Sequence, residues 1–160
     1  MKAVTVKAIK EELTELSPKE LRELCLRLSK FKKENKELVT YLLFESSDEK
    51  SYIENIKIEA DQLFAEINRK NYFLIRKSVR KILRNIRKYS RFSQKKETEV
   101  ELLIYFCKKL KKLSPSIQRN IALQNLYLGQ IASIRKKILS LHEDLQFDYE
   151  SELKDMETGQ

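Results

Sequence analysis

Two glycines and two prolines are the only strong chain breakers in 160 residues, and Gly159 lies in the tail. A β-rich chain of this length needs Gly, Asn or Pro at many tight turns. Long stretches of Leu, Ile, Glu and Lys without such residues favour helices instead. Hydrophobic residues make up 41%, too many for a disordered chain. The expected fold is all-α: a single domain of six or seven antiparallel helices, packed as an irregular bundle or a short helical-hairpin superhelix.

Both prolines follow a serine. In "LSPKE", Ser17 can cap a helix, Pro18 suits its first position and Glu20 completes a capping box. In "LSPS", Ser114 and Pro115 repeat the signal. The spacing of apolar residues predicts helices over about 3–16, 18–32, 35–45, 48–68, 71–91, 95–112 and 115–145. Those containing "ELVTYLLF" and "VELLIYFCKKL" are apolar on most sides, which marks buried central helices. Gly129 inside the last one marks the close approach of another helix. The helical domain is expected to cover 1–146, with 147–160 as an acidic, frayed tail.

The stretches "IKEELTELSPKELREL", "LVTYLLF", "ELLIYFCKKL" and "LHEDLQFDYESEL" together resemble a bacterial all-helical family of uncharacterised proteins. That resemblance implies a helical fold. It implies no activity and carries over no functional residue.

Charge is unevenly spread. Residues 67–96 hold twelve Lys or Arg and no Asp or Glu, whereas the segments before and after them carry net −2 and −1. On a helical wheel, Tyr72, Ile75, Val79, Ile82, Ile86 and Tyr89 form one seam, at spacings of 3, 4, 3, 4 and 3. Arg76, Lys77, Arg80, Lys81, Arg84, Arg87, Lys88 and Arg91 fall in the opposite sector, which Arg69, Lys70 and Lys95 would extend. Ordinary solvent faces mix signs, as "KEELTEL" does. Here the pairs 76/80, 77/81, 80/84, 84/88 and 87/91 are all like-charged at i, i+4. Together they cost about 1–2.5 kcal/mol in isolation at low salt, a cost that an acidic partner would relieve.

The leading reading is a non-catalytic module that binds another protein or an acidic surface. That surface could be the chain's own end, where Glu143, Asp144, Asp148, Glu150, Glu152, Asp155 and Glu157 are the complement. The alternative is nucleic acid, bound through its phosphates. Phe73 and Phe92 are the nearby aromatic residues that could stack on bases. A membrane surface fits poorly, because the seam has the spacing of a packed core helix.

No catalytic, metal or cofactor-binding residue is expected. His142 is the only histidine and matches no metal spacing. Cys25 and Cys107 are single, lie among apolar neighbours and read as core packing. Without a disulfide framework, leader or span of about 20 apolar residues, the chain reads as cytoplasmic and soluble.

Overall fold

In a computed structural model, residues 2–158 are described, apart from the side chain of Glu157; Gly159 lies outside them. The described residues contain no strand. They form eight α-helices: α1 (Val6–Thr14), α2 (Pro18–Phe31), α3 (Lys33–Thr40), α4 (Glu49–Ala65), α5 (Tyr72–Ser93), α6 (Lys96–Lys111), α7 (Ile121–Ile138) and α8 (Glu143–Thr158). The chain divides into two compact units, residues 1–44 and 45–160. The boundary falls in a π-helical turn, Tyr41–Glu45, which no Gly or Pro marks in the sequence.

In the first unit, Thr5 caps α1 by accepting from Ala8 N–H. Ser17 and Glu20 form the expected capping box on α2, and the bonds from Ser17 hold the Glu20 carboxyl below its ordinary range. Asn35 Nδ2 donates to Leu28 O across 2.9 Å, fixing the corner between α2 and α3. None of α1, α2 or α3 contains a buried residue. Among residues 2–44 only Tyr41 is buried. The "LVTYLLF" stretch therefore departs from expectation, since Leu42, Leu43 and Phe44 are exposed. A helix that is apolar all round can bury only the sides that neighbours cover, and within this unit the main packing of α3 is on α2.

The second unit is built around α6, which packs against α4, α5 and α7. Its wide apolar surface is used on most sides: Val100, Leu102, Leu103, Ile104, Phe106, Cys107 and Leu110 are all at most 2% exposed. On α5 the seam is buried as its spacing predicts, with Ile75, Val79, Ile82 and Ile86 at 0–2%. Burying each such side chain contributes roughly 1.5–3 kcal/mol. Tyr72 and Tyr89 end the seam half-buried, each with its hydroxyl satisfied, by Ser116 O at 2.9 Å and Glu59 Oε1 at 3.2 Å. Asn71 caps α5 by accepting from Leu74 N–H, and Gln94 ends it in the left-handed conformation (φ 59°).

The helix expected over 115–145 differs at both ends, which raises the count above six or seven. Its start moves to Ile121 because Asn120 takes the cap, accepting from Leu123 N–H. Ser116 caps a 3-10 turn, Ile117–Arg119, before it. Its end moves to Ile138, where Ser140 and Leu141 N–H switch to the carbonyls of Lys137 and Ile138, three residues back. Gln146 Nε2 then donates to Leu141 O at 2.8 Å, closing the corner before α8. Residues 147–158, expected to fray, lie in α8, with Leu153 2% and Met156 6% exposed. Gly129 is also unlike its expectation: a Cβ there would meet nothing within 4 Å, so no helix approaches it.

Candidate anion-binding groove

The cationic residues of α5 divide by type as well as by face. At 100° per residue, Arg76, Arg80, Arg84, Arg87 and Arg91 fall within 80° of one another and form one row. Lys77, Lys81 and Lys88 form a second row beside it. Arg76 and Lys88 are half-buried, and the other six are exposed. Lys88 Nζ sits 4.4 Å over the Tyr89 ring, a cation–π contact that draws it to the edge of the sector.

The arginine row faces a groove. α5 and α7 run in the same direction, since Tyr72 bonds Ser116 near their starts and Arg87 bonds Gln130 well along both. They flank α6, which packs on each of them. The space between holds a groove of about 570 Å³, lined by Arg80, Leu83, Arg84, Arg87, Arg91, Leu126 and Gln130. Four guanidinium groups meet an apolar strip there, with no carboxylate in the lining. Arg87 Nη2 donates to Gln130 Oε1 at 3.0 Å, and Gln130 Nε2 reaches Leu126 O at 3.5 Å. Gln130 is thus a neutral acceptor that orients a cation without cancelling its charge.

Elsewhere in this unit five lysines pair with carboxylates. Lys57 pairs with Glu54 and Glu101, Lys95 with Glu49, Lys108 with Glu152, Lys109 with Asp61, and Lys137 with Glu99. Among the described residues, Arg76, Lys77, Arg80, Lys81, Arg84 and Arg87 have no carboxylate partner. Lys95, expected to extend the cationic sector, instead lies 3.1 Å from Glu49 Oε2. Glu49 also accepts from Ser93 and Thr98 hydroxyls, so it ties the start of α4 to the turn between α5 and α6.

One acid of α8 is held by another element, and a backbone carbonyl near it is held too. Glu152 meets Lys108 on α6, and Lys111 Nζ donates to Met156 O. Tyr149 is pushed up, first by burial and then by the charges of Glu97, Glu101, Glu152 and Asp148, so that acids crowd the α6–α8 side.

Phe92 does not serve as an exposed aromatic. It is 7% exposed and packs edge-on against Tyr89, with ring centres 6.0 Å apart. Phe73 is 64% exposed. Reasoning from sequence missed the α7 wall altogether. Its one signal was Gln130, four residues after Leu126 on a helix whose other inward positions are apolar.

The other candidates for chemistry differ in their surroundings. Cys107 is fully buried and its thiol is pushed up to about 12 by that burial, so it is no nucleophile at neutral pH. Cys25 is exposed rather than packed in a core. His142 Nδ1 lies 3.5 Å from Asp144 Oδ2 on the surface. No three His, Cys, Asp or Glu among the described residues could hold a metal ion together. No helix among them is long and apolar enough to cross a membrane.

Compared with known proteins, the chain matches no family model, no curated sequence and no solved structure.

Proposed function

We propose that this chain is a non-catalytic binding protein, and that its α5–α7 groove takes the phosphate backbone of a nucleic acid. The observation that carries this reading is the row of Arg80, Arg84 and Arg87 in one groove, none of the three paired with a carboxylate among the described residues. A planar guanidinium donates two parallel hydrogen bonds to a phosphate and is less strongly hydrated than an ammonium. Like-charged neighbours on α5 make the unliganded row costly, and bound phosphates turn that repulsion into attraction.

The test is the salt dependence of binding. With about four phosphates neutralised, log K should fall against log salt with a slope near −3 to −4. Reversing Arg80, Arg84 and Arg87 to Glu together should abolish binding. No binding by the unaltered protein at about 50 mM salt sinks the reading.

A second reading, a protein partner, is favoured by the first unit. Its helices α1 to α3 bury no side chain, while Leu26, Leu28 and Phe31 are 53%, 50% and 77% exposed. A unit this short rarely holds together on its own core. Sedimentation across a range of concentrations, with Leu26→Ser/Phe31→Ser as control, tests the simplest version, pairing with a second copy. A monomer at every concentration, the same for both proteins, removes that version.

A further inference from the structure

We infer that the groove takes a single strand, and that Phe73 is the platform on which one of its unpaired bases stacks; this rests on the phosphate-binding reading above. Phe73 stands seven residues before Arg80 and eighteen before Arg91. Eighteen residues are five full turns, so Phe73 shares the azimuth of Arg91 and lies within 20° of Arg80. It therefore continues the arginine row towards the start of α5, about 10 Å along the axis from Arg80. It is 64% exposed and adds nothing to the core.

The helix start that carries it is held in place. Asn71 caps the helix two residues earlier, and the Tyr72 hydroxyl is held by Ser116 O at 2.9 Å. An exposed aromatic in line with phosphate-binding cations is the arrangement by which single strands are held without sequence preference.

The groove points to the same ligand. Its strip of Leu83 and Leu126 lies between two helices that run side by side, with the guanidinium groups along one wall. One backbone can lie along such a slot. A duplex carries two backbones and hides the faces of its bases, so it would offer Phe73 nothing to stack on.

The experiment measures fluorescence anisotropy with four labelled probes at about 50 mM salt. They are a base-bearing single strand, an abasic strand of equal length, a hairpin duplex and poly-glutamate. The proteins are the unaltered chain, Phe73→Ala, Phe73→Trp and the triple Arg80→Glu/Arg84→Glu/Arg87→Glu. The single strand should bind most tightly. Phe73→Ala should weaken it about 5- to 150-fold while leaving the abasic strand unchanged, and Phe73→Trp should bind like the unaltered chain. If Phe73→Ala holds the single strand as well as the unaltered chain does, and the triple variant does not, stacking is refuted and phosphate binding stands. If the triple variant loses nothing, both fall. Poly-glutamate bound as tightly as the single strand would assign the groove to an acidic protein and overturn the inference. Phe73 is on the surface, so circular dichroism should show its variants folded.

Discussion

The Arg87 guanidinium donates to Gln130 Oε1 at 3.0 Å, joining α5 to α7 across the groove. Gln130 is 7% exposed, whereas Arg87 is exposed. The bond satisfies a buried amide oxygen and holds one cation of the row in place while leaving its charge uncompensated.

Replacing Gln130 by Ala removes both the acceptor and the buried amide, and Arg87 is exposed enough to hydrate. The cost should therefore be that of one ordinary hydrogen bond, about 0.5–1.5 kcal/mol. Gln130→Glu should behave differently. It puts a carboxylate against Arg87, holds or raises stability, and weakens polyanion binding by neutralising one cation. Chemical denaturation with a parallel anion titration checks the pair. Equal anion affinity for the two variants would show that Arg87 takes no part in binding.

Gly129 lies in the interior of α7, exposed, with nothing within 4 Å of where a Cβ would stand. Ala there gains helix propensity and meets no obstacle. Gly129→Ala should stabilise the protein by up to about 1 kcal/mol, measurable as a raised denaturation midpoint with an unchanged slope. A loss of stability would mean that a neighbour does approach this face.

The elements of this fold that could be read in advance share one property: their signal is local. The seam of Tyr72 to Tyr89 is a period, and the Ser17–Glu20 box is a spacing; both survive into three dimensions because nothing distant competes with them. The cationic sector of α5 was visible for the same reason. What was not visible depends on neighbours. Nothing in "KKILSLHEDL" breaks a helix by propensity, and the chain turns there because Gln146 can satisfy Leu141 O. The groove needs α7 laid parallel to α5, which a one-dimensional period cannot state. A helix-interior glycine such as Gly129 often marks a contact, and its sequence neighbours do not say whether one exists. Here only solvent lies beside it.

The two thiols should separate cleanly. Cys25 is exposed and Cys107 is fully buried. A disulfide-exchanging reagent should therefore modify one thiol per folded chain, and the second only on unfolding. The buried thiol also sets an alkaline limit. Burial raises Cys107 to about 12 in the folded state, whereas an unfolded cysteine ionises near pH 8.5. Above that pH the unfolded chain binds fewer protons at this site, so stability falls as pH rises. Cys107→Ala lacks this contribution. Its stability deficit relative to the unaltered chain should shrink by about 2.5 kcal/mol between pH 8 and pH 10.5. A deficit that stays constant over that range would show that Cys107 ionises normally.

The C-terminal segment offers the sharpest test of helix against tail. Leu153 is 2% exposed on α8, which packs on α7, and its neighbour Glu152 meets Lys108 of α6. Leu153→Ala should cost about 2–5 kcal/mol, as for other buried leucines. A residue in a frayed tail would cost no more than about 0.5 kcal/mol. Glu152→Ala should cost less than about 1 kcal/mol, because both partners of that ion pair are partly solvated. The two variants should also agree in one respect. The α8 contacts described above go to α6 and α7, so neither should change polyanion affinity when measured well below its melting temperature. A gain in affinity for Glu152→Ala would instead show that the acidic segment competes with the ligand for the arginine row. Anisotropy and thermal melts on the same samples decide between these outcomes.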